Sequence, residues 1–269
     1  MFADAIEAAG GFTRPLVVST RVADGTVGCI IGAYIMLNAE GWALTAGHTM
    51  DVLRAMEMQA ADDAGETPTS ARLTNVSYWW GSDGLGMTEV HVDMDRDLAL
   101  TRLTGFNPAS VPSYPVFGQP ASAIRPGDPL CRLGYPLHQA SATFDEKTGT
   151  FSLAPGVTPI PRFPVDGIYT RDAIKEISPN GRKIRFLETS SPGLRGQSGG
   201  PIFDTAARVW AIQSSTIHLP LGFSPEVTMP DGQKVVEHQF INLGLGCHAD
   251  EVLAFLSSRG VNVATSLLT

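Results

Sequence analysis

The chain has 269 residues, 43% hydrophobic and 17% charged, enough to bury one large core or two small ones and too apolar for a disordered segment. Nineteen Lys and Arg stand against 27 Asp and Glu, a net charge of -8, and no basic cluster breaks that balance. Nucleic acid and anionic membrane surfaces are therefore excluded as main partners, because both need clustered cations.

Residues 1–11 carry Asp4 and Glu7 where a secretory leader would be basic or apolar. They read as a frayed tail in preference to a short docking helix. This start, with no run long and apolar enough for a membrane span, points to a cytoplasmic location. Cys29, Cys131 and Cys247 are odd in number and widely spaced, so they read as free thiols of a reducing compartment.

Glycine (28) and proline (19) are spread throughout and the apolar runs are short, which predicts a β-rich chain with many turns. Strands are predicted over 16–21, 27–38, 42–46, 76–80, 89–94 and 98–103. A helix is predicted over 49–58, capped by Thr49 or Asp51, followed by a polar surface loop over 60–70. The proline-rich stretch 105–129 suits neither a central strand nor a helix and reads as a connector. A second set of strands is predicted over 129–133, 150–153, 167–170, 184–189, 201–203, 209–214 and 239–243. A helix over 248–259 follows, with Asp250 as cap and Gly260 as its stop. The chain thus divides into a β-rich unit over 12–110, a connector over 111–128, a second unit over 129–247 and a terminal helix over 248–260.

Three short motifs carry chemistry. Gly196-Gln197-Ser198-Gly199-Gly200-Pro201 places a serine between glycines, where the backbone turns sharply and its N–H groups are free to hold an oxyanion. Leu44-Thr45-Ala46-Gly47-His48-Thr49 presents His48 at the end of an apolar strand, accessible yet oriented, as a general base must be. Asp97 opens the alternating strand Asp97-Leu98-Ala99-Leu100, where a carboxylate can be held at a core edge. Alone, each has a plain alternative: a Gly/Ser turn, a surface histidine, a solvated acidic turn with Asp93 and Asp95. His91, His138, His218, His238 and His248 lack comparable context and read as surface or core histidines.

Together the motifs resemble the chymotrypsin-like (trypsin-like) serine peptidases. The order is His48, Asp97, Ser198, with Asp97 following His48 by 49 residues and Ser198 following Asp97 by 101. The segments around Cys131–Pro136, 184–197 and 209–214 and the terminal helix match the same pattern. The resemblance implies an all-β fold of two antiparallel Greek-key β-barrels with a C-terminal α-helix. It implies a serine endopeptidase in which Ser198 attacks the peptide carbonyl, His48 carries the proton and Asp97 orients the imidazole. The N–H groups of Gly196 and Ser198 would form the oxyanion hole, and no metal or organic cofactor is needed. Peptide or protein would be the substrate, bound along Ser214, Ser215 and Thr216.

Three departures narrow the resemblance. Gln197 stands where digestive relatives carry an aspartate that pairs with a freed N-terminus, so activation by trimming is not expected. The amide there, shared with bacterial HtrA-type peptidases, places this chain nearer to them, without a PDZ module after the helix. The bridging cysteines are absent, Thr49 following His48. Pro192 stands where trypsin carries its specificity aspartate, so cleavage after Lys or Arg is not expected. Arg195, the hydroxyls of 214–216 and His218 favour an acidic or small polar residue before the scissile bond. Alternatives remain: a catalytically silent peptide-binding module, an enzyme whose 193–197 loop needs a protein partner, or an unrelated β-sandwich.

Overall fold

The computed structural model describes residues 1–52, 72–177 and 181–267. The chain opens with a helix, α1 (Ala3–Phe12), where a frayed tail was expected. Ala5, Ala9 and Phe12 recur at helical spacing and are buried, and the Phe2 ring meets Phe203 edge-on. That apolar stripe docks the segment onto the molecule.

The first unit is a six-stranded antiparallel half-barrel. Its strands are β1 (Thr13–Val22), β2 (Val27–Met36), β3 (Trp42–Ala46), β4 (Leu73–Trp79), β5 (Gly86–Asp93) and β6 (Leu98–Thr104), in the order β4-β1-β2-β3-β6-β5. Strand β3 lies between β2 and β6 and is buried along its whole length. Its register with β6 sets Ala46 opposite Leu98, so the residues after one strand meet the residue before the other. That pairing is what brings positions 48 and 97 together.

The proline-rich connector is not wholly irregular. It contributes β7 (Val116–Gln119), which pairs in parallel with two residues of β14 (Arg208–Pro220) and with β18 (Ala264–Leu267). The run Val116–Gln119 lies between prolines 115 and 120, and it is this proline-free interval that forms the ladder. Strand β18 was not predicted.

The second unit closes into a ring. Strands β8 (Pro129–Gly134), β11 (Phe163–Ile177), β12 (Arg182–Thr189), β17 (Phe240–His248), β14 and β13 (Pro201–Phe203) follow one another, and β13 pairs with both β8 and β14. The hairpins β9 (Ala142–Asp145) with β10 (Thr150–Leu153), and β15 (Glu226–Thr228) with β16 (Lys234–Val236), project from it. A half-barrel, a ring and a C-terminal helix, α2 (Ala249–Ser258), make up the expected two-barrel all-β fold. Its N-cap is His248, whose Nδ1 accepts the Asp250 N–H at 3.1 Å, so Asp250 is not the cap. As a first-turn acid it still favours the helix dipole.

Residues 47–52 are helical and overlap the start of the helix predicted over 49–58; the remainder of that predicted span and the loop at 60–70 fall outside the described residues. One apolar core runs through both units, including Leu16, Tyr34, Leu44 and Leu100 of the first, Leu133, Phe186 and Phe203 of the second, and Phe255 of the C-terminal helix. All three cysteines are free. Among the described residues no helix is long and apolar enough to cross a membrane.

Candidate active site

His48 and Asp97 meet at the shared end of β3 and β6. Asp97 adopts a left-handed backbone (φ 53°), which Asp tolerates better than most residues, and its side chain turns back toward His48. The carboxylate accepts the His48 backbone N–H at 2.8 Å and lies 2.9 and 3.0 Å from His48 Nδ1. Nδ1 is therefore the donor and Nε2 is left to face outward.

A third partner comes from the second unit. The Ser214 hydroxyl donates to Asp97 Oδ2 at 2.5 Å. Strand β14 carries a bulge there: Gln213 pairs with Gly246 and Ser215 with Leu245, leaving Ser214 as the extra residue. A bulge re-aims one side chain, and here it sends Ser214 across the interface between the two units. Sequence reading assigned Ser214 to substrate backbone and missed this bond, which spans 117 positions and leaves no local signal.

The electrostatics follow from these contacts. Burial by itself would raise the Asp97 pKa, but the hydrogen bonds from His48 and Ser214 outweigh it and hold the carboxyl below its usual value. The hydrogen bond to Asp97 raises the His48 pKa, against the opposing effect of burial.

Ser198 is half-buried in the loop between β12 and β13, and that loop is tied down on all sides. The Ala33 N–H of β2 donates to the Ser198 carbonyl at 2.8 Å, which pins the loop to the first unit beside β3. Gly199 and Gln213 bond at 2.8 Å, as do Tyr135 N–H and the Gly196 carbonyl. The turn 194–197 closes with a 3.0 Å bond from Gln197 N–H to the Leu194 carbonyl, and its third residue, Gly196, has φ 96°. A turn of that kind needs glycine there, and a Cβ would also overlap the Tyr135 carbonyl oxygen. Gln197 is fully buried, and its Oε1 accepts the Leu194 N–H at 2.9 Å. The loop is thus braced by its own amide.

Among the described residues no hydrogen bond joins His48 to Ser198, and no acceptor takes the backbone N–H of Gly196 or of Ser198. On the expectation that the Gly196 N–H is an oxyanion donor, Gly196→Ala, which must displace the turn, is expected to lower kcat by about 10²–10³-fold with KM little changed. Steady-state kinetics on a peptide substrate checks this.

A cavity of about 570 Å³ opens beside Ser198. Arg195, Ser214, Ser215, Thr216 and His218 all line it, as the sequence reading had grouped them. The Thr216 hydroxyl donates to the Gly193 carbonyl at 2.7 Å, and His218 Nδ1 bonds Asn242 Oδ1 at 2.6 Å. The other histidines have structural roles: His91 stacks on Trp42, His138 meets the Val157 carbonyl and His238 meets Ser224. A larger cleft, about 1700 Å³, lies between α1, β1 and the 151–164 segment and contains none of the predicted site residues.

The fold has relatives among solved structures. The HtrA-type protease AlgW, solved with a tripeptide, aligns over 97% of this chain with TM-score 0.51 and 17% identity. The Rv3671c protease from M. tuberculosis, in its active form, aligns over 97% of this chain and 86% of its own, with TM-score 0.53 and 14% identity. The chain spans 65% of the AlgW chain, and at these identities the likeness is one of fold. No curated protein sequence matches the chain. Residues 31–212, which include His48, Asp97 and Ser198, match the trypsin-like peptidase domain, and the chain belongs to that family.

Proposed function

We propose that the chain is a serine endopeptidase acting through Ser198, His48 and Asp97. The observation that carries this reading is the Ser214–Asp97–His48 hydrogen-bond chain set beside a braced serine loop with two unpaired backbone N–H groups. Two backbone N–H groups without an acceptor beside a nucleophile are what an oxyanion hole requires.

In this mechanism Ser198 Oγ attacks the scissile carbonyl and its proton passes to His48 Nε2. The imidazolium is stabilised by Asp97, and the N–H groups of Gly196 and Ser198 receive the oxyanion. The same proton goes to the leaving amine as the acyl-enzyme forms, and water then releases the acid. Strand β14 pairs with β17 on one edge, while β13 and β7 pair with it only over positions 208–212, which leaves Ser214–Thr216 able to add an extended peptide as a further strand. AlgW, of the same fold, was solved with a tripeptide.

A second reading rests on the missing His48–Ser198 bond: the site is completed only by a protein partner. Apo peptidase geometry is commonly looser than that of the working complex, and the bonds that brace 194–200 favour a loop already in place. Intact-mass analysis after incubation with a fluorophosphonate separates the readings. One adduct on the parent chain and none on Ser198→Ala is expected. A folded parent chain that takes up no label would overturn the constitutive enzyme.

A further inference from the structure

The strand that opens the second ring carries an unusual charge. Arg132 of β8 is 1% exposed, and among the described residues no carboxylate pairs with it. Its Nη2 donates to the Thr189 hydroxyl, while its Nη1 is buried with no partner. Burial lowers its pKa to about 10, so the group is still a cation at neutral pH.

Its position is informative. The guanidinium lies directly behind Gly244, where any Cβ would overlap it. Gly244 pairs across the ladder with Thr216, a wall residue of the cavity beside Ser198, and donates its N–H to the Ser191 carbonyl at 3.0 Å. Thr189, which holds the guanidinium, donates to that same Ser191 carbonyl at 3.0 Å. The charge therefore stands one residue layer behind the cavity wall, separated from it by backbone and a glycine. Close by, the Ser191 hydroxyl is also buried and unpartnered. Among the described residues that line the cavity there is no Asp or Glu.

We infer that this cavity takes an acidic side chain, Asp or Glu, at the residue before the scissile bond, and that Arg132 determines that specificity from behind the wall. The inference rests on the endopeptidase reading above. An unpaired buried cation is costly, and an anion entering the adjacent cavity offsets that cost. The protein wall between them screens less than water does, so its field reaches into the cavity. A basic side chain would be repelled by the same charge. Arg195, by contrast, is exposed, and solvent screens it.

The test uses the full chain and internally quenched peptides that differ at one position, Glu, Asp, Gln, Leu or Lys before the scissile bond. The parent chain is expected to cleave Glu over Gln with kcat/KM about tenfold higher or more. Arg132→Met is expected to remove most of that preference by lowering the Glu value and leaving the Gln value within about twofold, whereas Arg195→Ala keeps the preference. Arg132→Lys, which retains a cation, is expected to keep part of it; if neither Arg132 variant folds, the parent profile decides the cavity's class. A chain that takes the fluorophosphonate label but cleaves Gln, Leu or Lys as well as Glu overturns the acidic cavity alone. Loss of the preference in Arg195→Ala but not in Arg132→Met overturns the role of Arg132. A chain that takes no label overturns the endopeptidase reading, and this inference with it.

Discussion

His48→Ala is expected to lower kcat by roughly 10⁶-fold on any peptide the parent chain cleaves. The size of the effect follows from the roles proposed for these residues. Without the imidazole, Ser198 has no base to take its proton and the leaving amine has no acid. The unpaired N–H groups of Gly196 and Ser198 and the β14 edge are untouched, so the variant should still bind substrate and KM should change little. Ser198→Ala should fall to the same floor, and the double variant should be no worse than either, since groups acting as one unit are not additive. Single-turnover kinetics with a chromogenic peptide ester measures this. A His48→Ala variant retaining more than a few percent of parent activity would show that another base serves Ser198.

Asp97→Asn is expected to cost about 10⁴-fold in kcat and to change the pH profile as well. The carboxylate accepts the His48 Nδ1–H, with Nδ1 2.9 Å from Oδ2; an amide can present its own N–H there and invert the tautomer. The pH dependence follows from the same bond. Activity needs neutral His48, whose folded-state pKa is raised from 6.5 chiefly by the hydrogen bond to Asp97. The acid limb of kcat/KM should therefore have its midpoint above pH 6.5 in the parent chain and move down in Asp97→Asn. Stability runs the other way. A raised histidine pKa stabilises the fold fully below 6.5 and the gain is lost as pH rises through the folded value. Asp97, held below 3.8, contributes above that value and loses its contribution as pH falls through its folded pKa. The pair thus stabilises most between about pH 3.8 and 6.5, and the destabilisation by Asp97→Asn, followed by urea unfolding, should be largest in that window. An unfolding deficit that stays constant from pH 4 to 9 would show that the pair is not ionised as described.

The amino-acid sequence by itself determined the fold class and most of the framework, and it picked out the residues that the proposed mechanism uses. Strands β3, β10 and β13 coincide with their predicted spans, because each is a short apolar or alternating run between clear turn residues. The local motif was enough to single out His48 and Ser198, since each sits at a strand-to-turn junction that its immediate neighbours create. Arg195, Ser215, Thr216 and His218 were likewise legible, being close in sequence to the serine loop and β14.

Only the tertiary structure decided the rest. The helix at 3–12 was missed because its signal is three small or apolar residues whose value appears only once a surface is there to bury them. Strand β7 was hidden among prolines, and it exists because β14 and β18 offer edges for it to pair with. The Ser214–Asp97 bond depends on a bulge and on two units meeting, neither of which a window of sequence records. Arg132 is the sharpest case. In the sequence it is one basic residue in an apolar strand, and strand alternation would let it face solvent. Ring closure turns it inward instead, behind Gly244 and, among the described residues, without a carboxylate partner, and long-range packing alone makes it a buried charge beside a cavity.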